Sequence, residues 1–406
     1  YDSNALYAQE LPRAIALYEQ ALAHDSTFAL ADAALGTAHM NLFWFAPDRT
    51  EARLAAAKAA ADRALRLEPD LGDAHVALAL WHYWGHRDYD GAQEELERAR
   101  ASIPNSAEVE QFLAAIQRRR GQWRLSIASH RKAVLLDPRR SDILDQLALS
   151  YQSLRRYAEA DTIYARAMAL ARDPTDDQVA RAWNTFIWKG DLQPVRSALA
   201  RLQPGSDRYR AAVSGREYVQ WLDRDFDAAI RTTRSDTAAD WADPNNIVLP
   251  RELQLGWAYQ AAGQTDAARE VYAAVRARMR TELARRPDVP DLHLGLAFAE
   301  AGLGMKDEAV RDGRRAAEMM PPGRDAVTGP GYLCYLAQVY VRVGRKEPAL
   351  QLLRRLVDLP AGGIVSPAIL RTDPVWDPIR DEPGFRALLA DRRPVPIAGA
   401  DAAEAP

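Results

Sequence analysis

The sequence predicts an all-α solenoid of about ten helix-turn-helix units, on the strength of two observations. First, small or short apolar residues recur at nearly constant spacing along the 406 residues. They are Ala14, Ala57, Ala92, Ser126, Ala160, Val195, Ala229, Ala268, Ala309 and Ala349, in steps of 43, 35, 34, 34, 35, 34, 39, 41 and 40 residues. A period near 34 is typical of stacked helical hairpins. Second, no stretch alternates apolar and polar residues as a half-buried strand would.

Each unit begins with a helix that carries one small residue among larger ones. The fifth unit shows the pattern as Leu147-Ala148-x-x-Tyr151, and the eighth shows it as Leu255-Gly256-x-x-Tyr259. The second helix carries the recurring small residue, as at Ala160, and larger residues such as Tyr164 follow it. Small residues allow two antiparallel helices to approach closely, while Leu and Tyr fill the space beside the contact.

Glycine and proline are expected to end the helices of a unit. Gly263, Gly304 and Gly344 lie where a first helix must stop, in a left-handed backbone conformation that costs glycine little. Proline ends a second helix because it lacks an amide proton and restricts the residue before it. The prolines at these positions are Pro69, Pro104, Pro138 and Pro321.

Over about residues 1–360 this pattern resembles the tetratricopeptide repeat. The resemblance implies a right-handed superhelix whose concave groove is lined mainly by the first helix of each unit. It places these groove residues on the partner-binding surface: Arg118, Gln152, Trp257, Gln260, Gln338 and Arg342. The lysine and asparagine clamp with which some members hold a terminal carboxylate is not evident. The resemblance therefore implies a protein or peptide partner held by mixed polar and aromatic contacts.

An aromatic patch is a second candidate interaction site, formed by Trp44, Trp81 and Trp84. Trp44 lies in an insertion at residues 41–50, and insertions into repeats project from one face. A partner could bind these aromatic side chains. The alternative is that the insertion lengthens a first helix and packs on a neighbour, since aromatic clusters at helical spacing usually belong to a core.

The same region contains His82 and His86, four residues apart as zinc ligands on a helix would be. Gly85 is expected to interrupt that helix, and no third ligand is apparent, so we predict a structural corner and no metal site. No cofactor is predicted either. Motifs for nucleophilic or phosphoryl-transfer chemistry are absent, and the lone Cys334 lies in an apolar helix as a buried thiol would. The chain is therefore predicted not to be an enzyme.

Residues 361–391 are predicted to cap the solenoid, and residues 392–406 form a Pro/Ala-rich tail. The segment from Ile364 to Leu389 resembles the end of the repeat regions of bacterial eukaryotic-like serine/threonine kinases and adenylate-cyclase-type signalling regulators. Asp373-Pro374 and Asp377-Pro378 are interpreted as helix starts, because aspartate caps free amides and proline suits the first turn. Trp376 and Phe385 are expected to cover the open face of the last hairpin.

Charge and hydropathy restrict the partners. The net charge of −3 gives no general attraction to nucleic acid or anionic lipid, and no apolar run is long enough to cross a membrane. The compartment stays open. Tyr1 is not a methionine, which we interpret as the start of a fragment or of a processed product, and the first unit is expected to have a short leading helix.

Two functions remain as hypotheses. The chain could be the docking or regulatory module of a bacterial signalling protein, binding a protein partner in its groove. Alternatively, it could be a structural subunit that self-assembles head-to-tail into an oligomer or filament, extracellular in that case. The joint would then be formed by residues 392–406 and the open N-terminal repeat, because an uncovered solenoid end is apolar.

Overall fold

The computed structural model describes residues 2–45, 49–171, 173–203, 212–235, 240–242, 247–390 and 394–395, with backbone alone at 2–9 and 240–242. The helices and strands of the first half are α1 Asp2–His24, α2 Ala29–Phe45, α3 Glu51–Leu67, α4 Gly72–Leu80 with a π-helical turn Trp81–Gly85, α5 Tyr89–Ser102, α6 Ala107–Arg119, α7 Trp123–Leu136, α8 Ser141–Ser153, α9 Tyr157–Leu170, α10 Thr175–Lys189 and α11 Gln193–Ala200. Those of the second half are α12 Val213–Leu222, α13 Phe226–Ser235, β1 Asp240–Ala242, β2 Val248–Pro250, α14 Glu252–Ala261, α15 Thr265–Arg285, α16 Pro290–Gly302, α17 Lys306–Met319, α18 Thr328–Arg342, α19 Lys346–Val357, α20 Pro367–Thr372, a 3-10 helix Pro374–Ile379 and α21 Pro383–Ala390.

After α1, the described helices follow one another as nine pairs, from α2 with α3 to α18 with α19. In each pair the second helix carries one of the recurring small residues. All nine of these residues are buried, as Ala92, Ser126 and Ala160 are at 0% exposure. Their lack of bulk is what lets the paired helices touch. The predicted all-α fold of tetratricopeptide-type hairpins is confirmed.

The turn inside a pair depends on one residue in the left-handed backbone region. Gly263 has a φ of 75°, and the predicted Gly304 and Gly344 share this conformation, as do Gly121 and Gly190. In three pairs an arginine occupies this position instead, namely Arg87, Arg155 and Arg224, with φ of 52°, 59° and 59°. A side chain with a Cβ pays about 1 kcal/mol there. The predicted prolines each lie two residues beyond the end of a second helix.

The first unit differs from its prediction. The short leading helix does not exist as a separate element, because α1 is one helix of 23 residues that contains Ala14. It corresponds to the second helix of a hairpin, and α2 begins the first described pair. Ala14 is accordingly only half-buried, unlike the nine small residues that lie in complete pairs.

Two short strands add a feature that the sequence did not indicate. Strand β1 pairs antiparallel with β2, with Trp241 opposite Leu249. The buried side chains of Ile247 and Leu249 pack with Leu253 of α14 in the same apolar cluster. The ladder is three residues long and leaves the fold class unchanged.

The chain divides into two compact units. The first comprises residues 1–147 and 169–176, and the second comprises residues 148–168 and 177–406. The core of the first unit joins α2, α3, α5 and α6 through residues such as Met40, Leu96 and Leu113. The largest core of the second unit runs from α14 to α21 and includes Phe298, Tyr332 and Trp376.

The C-terminal segment packs on the last pair, α18 and α19. Trp376 and Phe385 are 1% and 0% exposed and belong to the same apolar cluster as Leu336 and Leu353. Asp373 caps the 3-10 helix by accepting from the Val375 amide at 3.0 Å, as predicted. The prediction for Asp377 is wrong, because it lies inside that helix; its carboxylate accepts from Arg224 and Arg380 instead.

Candidate protein-interaction site

An open groove in the first unit is formed by α1 and by the first helices of two consecutive pairs, α2 and α4. Its volume is 290 Å³. The described lining residues are Glu10, Leu11, Ala14, Tyr18, Leu30, Ala34, Thr37, Ala38, Asn41, Asp73, Val76, Ile103, Ser106 and Glu108. The lining is mixed: it combines alanines and larger apolar side chains with polar and acidic ones.

The charge of this groove is negative. Glu10, Asp73 and Glu108 line it, and none of the described lining residues is a lysine, arginine or histidine. Partial burial raises the pKa of the Glu108 carboxyl, and the carboxylates of Asp73 and Asp142 raise it further. Arg140 lowers that pKa, but its guanidinium already pairs with Asp142, with Nε to Oδ1 at 3.0 Å. The charged side chains among the described lining residues are therefore all acidic.

Exposed apolar side chains lie beside the groove. Leu17 of α1, Phe28 before α2 and Leu30 at its start are 56%, 45% and 46% exposed. Leu30 also belongs to the groove lining. Leu30 thus adds exposed apolar surface to the groove.

Of the predicted partner-binding residues, Trp257 and Arg342 come together in the second unit. The Arg342 guanidinium carbon lies 4.8 Å from the Trp257 ring centroid and 5.7 Å from that of Phe298. Burial lowers the pKa of Arg342, and the negative charge of Asp373 partly offsets this by raising it. Gln338 is half-buried one turn before Arg342 on α18, and Gln260 is exposed and accepts from the Tyr272 hydroxyl at 2.9 Å.

The other two predicted residues make contacts within the chain. Arg118 is 8% exposed and donates to the main chain and side chain of Gln146, at 3.0 and 2.6 Å. Gln152 is also 8% exposed, and its amide donates to Asn184 at 3.4 Å. Their assignment to a partner-binding surface stays a prediction.

Within the second unit, the C-terminal segment from 357 to 379 lies against α8 to α12. Arg155 donates to the carbonyl oxygens of Val357, Leu356 and Leu359 at 2.7, 3.0 and 3.2 Å. The Gly362 amide donates to Ser153, and the Gly362 carbonyl accepts from Tyr157, both at 2.9 Å. Part of the surface of the second unit is thus covered by its own chain.

Asp373 forms the other end of this contact. Its carboxylate accepts from the Trp221 indole at 2.9 Å and from the Tyr218 hydroxyl at 3.1 Å. Burial raises the pKa of Asp373, while these two hydrogen bonds and Arg342 favour the ionised form. Sequence reasoning could not identify these two partners of Asp373, because they lie more than 150 positions away in the chain.

The predicted aromatic patch is a packed cluster. Trp44 stacks on Trp84 with ring centroids 5.3 Å apart, and Trp84 meets Phe112 edge-on at 5.7 Å. Trp44, Trp81 and Trp84 are all half-buried. The insertion lengthens α2 as far as Phe45, which agrees with the packing alternative; its residues 46–48 lie outside the described part of the chain.

His82 and His86 contact neighbouring side chains. The predicted interruption at Gly85 falls at the end of the helix: a π-helical turn covers Trp81–Gly85, and His86 is its C-cap. His82 pairs with Asp88 at 2.7 Å, and His86 packs on Trp81 with ring centroids 4.0 Å apart. Among the residues whose side chains are described, no group of three or more potential ligands could hold a metal ion.

Two further expectations concern the remaining chain. No helix in the described ranges is both long enough and apolar enough to cross a bilayer.

Of the predicted tail 392–406, only Pro394 and Val395 are described. Val395 is 7% exposed, and its amide donates to the Leu154 carbonyl at 3.0 Å. The predicted joint through residues 392–406 otherwise lies outside the described residues.

Comparison with known proteins agrees with the repeat. Residues 143–178, which include most of α8 and all of α9, match the family model of the tetratricopeptide repeat. The chain therefore contains a tetratricopeptide repeat. No curated protein matches it.

Several solved structures are similar at low identity. YrrB, a tetratricopeptide-repeat protein with an unusual peptide-binding site, is 18% identical over 45% of this chain and 89% of its own, with a TM-score of 0.33. PilF of Pseudomonas aeruginosa is 20% identical over 49% and 89%, with a TM-score of 0.39. Human IFIT1, solved as a dimer with m7Gppp-AAAA, is 17% identical over 76% and 67%, with a TM-score of 0.43.

Proposed function

We propose that this chain is a non-enzymatic scaffold that binds a protein or peptide partner in the groove of its first unit. The observation that carries the proposal is the 290 Å³ groove lined by α2 and α4, the first helices of consecutive hairpins. Successive first helices supply side chains from a rigid backbone, so a partner can be held at several points without reorganisation.

We further propose that the scaffold is the docking or regulatory module of a bacterial signalling protein. The C-terminal resemblance described above supports this assignment. The residues Trp257, Gln338 and Arg342 would contribute a second contact surface in the second unit. The coding sequence before Tyr1 tests the signalling role, since a docking module is expected to be joined to an effector domain.

The binding role is tested by selecting peptide ligands from a random library with the whole chain and mapping them by hydrogen exchange. A groove ligand is expected to slow exchange in α2 and α4. Ala34→Leu, which narrows the groove at a half-buried position, should abolish binding. Ligands that protect neither helix and tolerate Ala34→Leu would refute the groove as the binding site.

A second candidate function is self-assembly, which the exposed Leu17, Phe28 and Leu30 favour. Apolar surface at the α1 end of the array could be covered by a second copy. Light scattering over a range of concentrations tests this function. A mass that rises with concentration and falls in Leu17→Glu would support assembly, whereas a constant monomer mass would exclude it.

A further inference from the structure

The segment 357–379 of the second unit crosses three successive turns between paired helices. Arg155, in the turn after α8, donates to carbonyl oxygens near the start of the segment. In the turn after α10, a Cβ built on Gly190 would lie 3.8 Å from the Cβ of Ala368. Arg224, in the turn after α12, donates at 2.8 Å to a carboxylate near the end of the segment. The segment therefore follows one edge of this row of helices.

The contact of the segment with α8 to α12 and their turns, called the seam below, is mostly polar. Asp373 accepts there from Trp221 and Tyr218, and Gly362 makes two hydrogen bonds. Of the residues 357–379, only Ile369 belongs to the apolar cluster of α9 to α12. Water can replace the partners of such hydrogen bonds when the seam opens, so the net cost of each bond is modest.

The other side of the segment is fixed to α18 and α19 by apolar packing. Val365 and Leu370 are 0% exposed, and Trp376 and Ile379 are 1% exposed. All four belong to the cluster that contains the buried residues of α18 and α19. Moving these side chains into water would lose hydrophobic free energy at each of them. The segment is thus held by burial on one side and by hydrogen bonds on the other.

Two turn residues at the seam have an unfavourable backbone conformation. Arg155 and Arg224 both have a φ of 59°, whereas the turn between them has Gly190, with a φ of 80°. A residue with a Cβ is strained in this region, and such strain is often found at clamps and switches. Each arginine accepts this strain in the turn where its guanidinium binds the segment.

We propose that the seam is a latch: the second unit opens there while the segment 357–379 stays folded on α18 and α19. In the closed form the segment contacts Trp221 and Tyr218 of α12, and in the open form these side chains and Asp373 face water. A ligand that binds the open form alone would hold the unit open, because binding shifts the equilibrium towards the state that it prefers. This device goes beyond the proposed function, and its failure would leave the groove of the first unit unaffected.

Site-resolved hydrogen exchange of the whole chain tests the latch. The Gly362 amide donates across the seam to Ser153, whereas the Leu370 amide donates to Ser366 within the segment. If the seam opens while the segment stays folded, Gly362 should exchange at least about tenfold faster than Leu370, after correction for intrinsic rates. Equal protection of the two amides would overturn the inference, because both would then exchange through unfolding of the segment.

A reversible disulfide across the seam is the sharpest variant. In Gly190→Cys/Ala368→Cys the two Cβ atoms would lie 3.8 Å apart, which suits a disulfide, and the native Cys334 is buried. Oxidation should slow exchange of Gly362 by about tenfold or more and leave Leu370 unchanged, and reduction should reverse the effect. Unslowed exchange of Gly362 in the oxidised variant would overturn the inference.

A change at the opposite end of the seam tests whether it opens as one piece. Tyr218→Phe removes the hydroxyl that donates to Asp373 at 3.1 Å, so exchange of Gly362 should accelerate about tenfold. The matched control is Tyr340→Phe, which removes a hydroxyl that accepts from Arg314 at 2.7 Å outside the seam and should leave Gly362 unchanged. Circular dichroism checks that both variants fold. An unchanged rate in Tyr218→Phe would contradict a single latch.

Discussion

Replacing Arg155 should loosen the C-terminal segment of the second unit by a predictable amount. Arg155 is 7% exposed and donates to three carbonyl oxygens at 3.2 Å or less. Hydrogen bonds from a charged donor are worth about 1.5 kcal/mol each at the low end of their range, so together they contribute about 4 kcal/mol. Against this, the φ of 59° costs a residue with a Cβ about 1 kcal/mol.

Two variants separate these contributions. Arg155→Gly loses the hydrogen bonds but removes the backbone strain, so the packing of the segment 357–379 should lose about 3 kcal/mol of free energy. Arg155→Ala loses the hydrogen bonds and keeps the strain, so the loss should be about 4 kcal/mol. Arg87→Gly is the matched control: Arg87 has a φ of 52° and is exposed, and its replacement should not destabilise the chain.

The assay is hydrogen exchange of the segment 357–379, because exchange reports the local opening of this segment separately from global unfolding. At about 1.4 kcal/mol for each factor of ten, exchange of the Gly362 amide should accelerate by roughly a hundredfold in Arg155→Gly. Unchanged exchange in both Arg155 variants would refute a stabilising role for these hydrogen bonds. Equal exchange in the two would refute the backbone strain.

Three further predictions concern packing and pH. Gly362→Ala should release the same segment, because the added Cβ would lie 2.2 Å from the Gln152 carbonyl oxygen. Gly363→Ala is the control, since its Cβ would meet no atom nearer than 3.4 Å. Hydrogen exchange of the segment 357–379 should be faster in Gly362→Ala and unchanged in Gly363→Ala. His130 is fully buried, and burial lowers its pKa to about 3. Between pH 6.5 and 3 this histidine is therefore protonated in the unfolded state and neutral in the folded state. The free energy of unfolding should fall as the pH drops through this range. Urea unfolding at several pH values should show a smaller fall in His130→Gln; an equal fall would exclude this histidine as the cause. Because the pKa of Glu108 is raised, its ionisation disfavours the folded state, so Glu108→Gln should raise the urea midpoint at pH 7 and not below pH 4. A lower midpoint at pH 7 would contradict the repulsion from Asp73 and Asp142.

Much of the fold could be predicted from local pattern. The small residues at Ala92, Ser126 and Ala160 are buried where the spacing placed them, and Gly263 has the left-handed conformation expected at its turn. Because these features recur from unit to unit, each occurrence supports the assignment of the helices in the other units. Arg155 takes the place of glycine in one such turn, and the pattern could not show why, because the carbonyl oxygens that hold its guanidinium lie about 200 residues away.

The candidate site was less accessible to sequence reasoning. The resemblance to the tetratricopeptide repeat placed Trp257 and Arg342 in the groove lining, and in the structure the Arg342 guanidinium carbon lies 4.8 Å from the Trp257 ring centroid. The groove of the first unit was missed, although one of its lining residues, Ala14, was among the recurring small residues. Helix α1 was expected to be two elements, so the surface that it shares with α2 and α4 was not anticipated.

The sequence by itself determined that the chain forms helices, where most of them end, and that they associate as hairpins, because these properties depend on neighbours a few residues apart. The tertiary structure alone decided which surfaces stay open. The second unit covers part of its own surface with the segment 357–379, whereas the first unit retains an acidic groove. Such outcomes depend on distances between residues far apart in the chain, which a repeating local pattern does not contain.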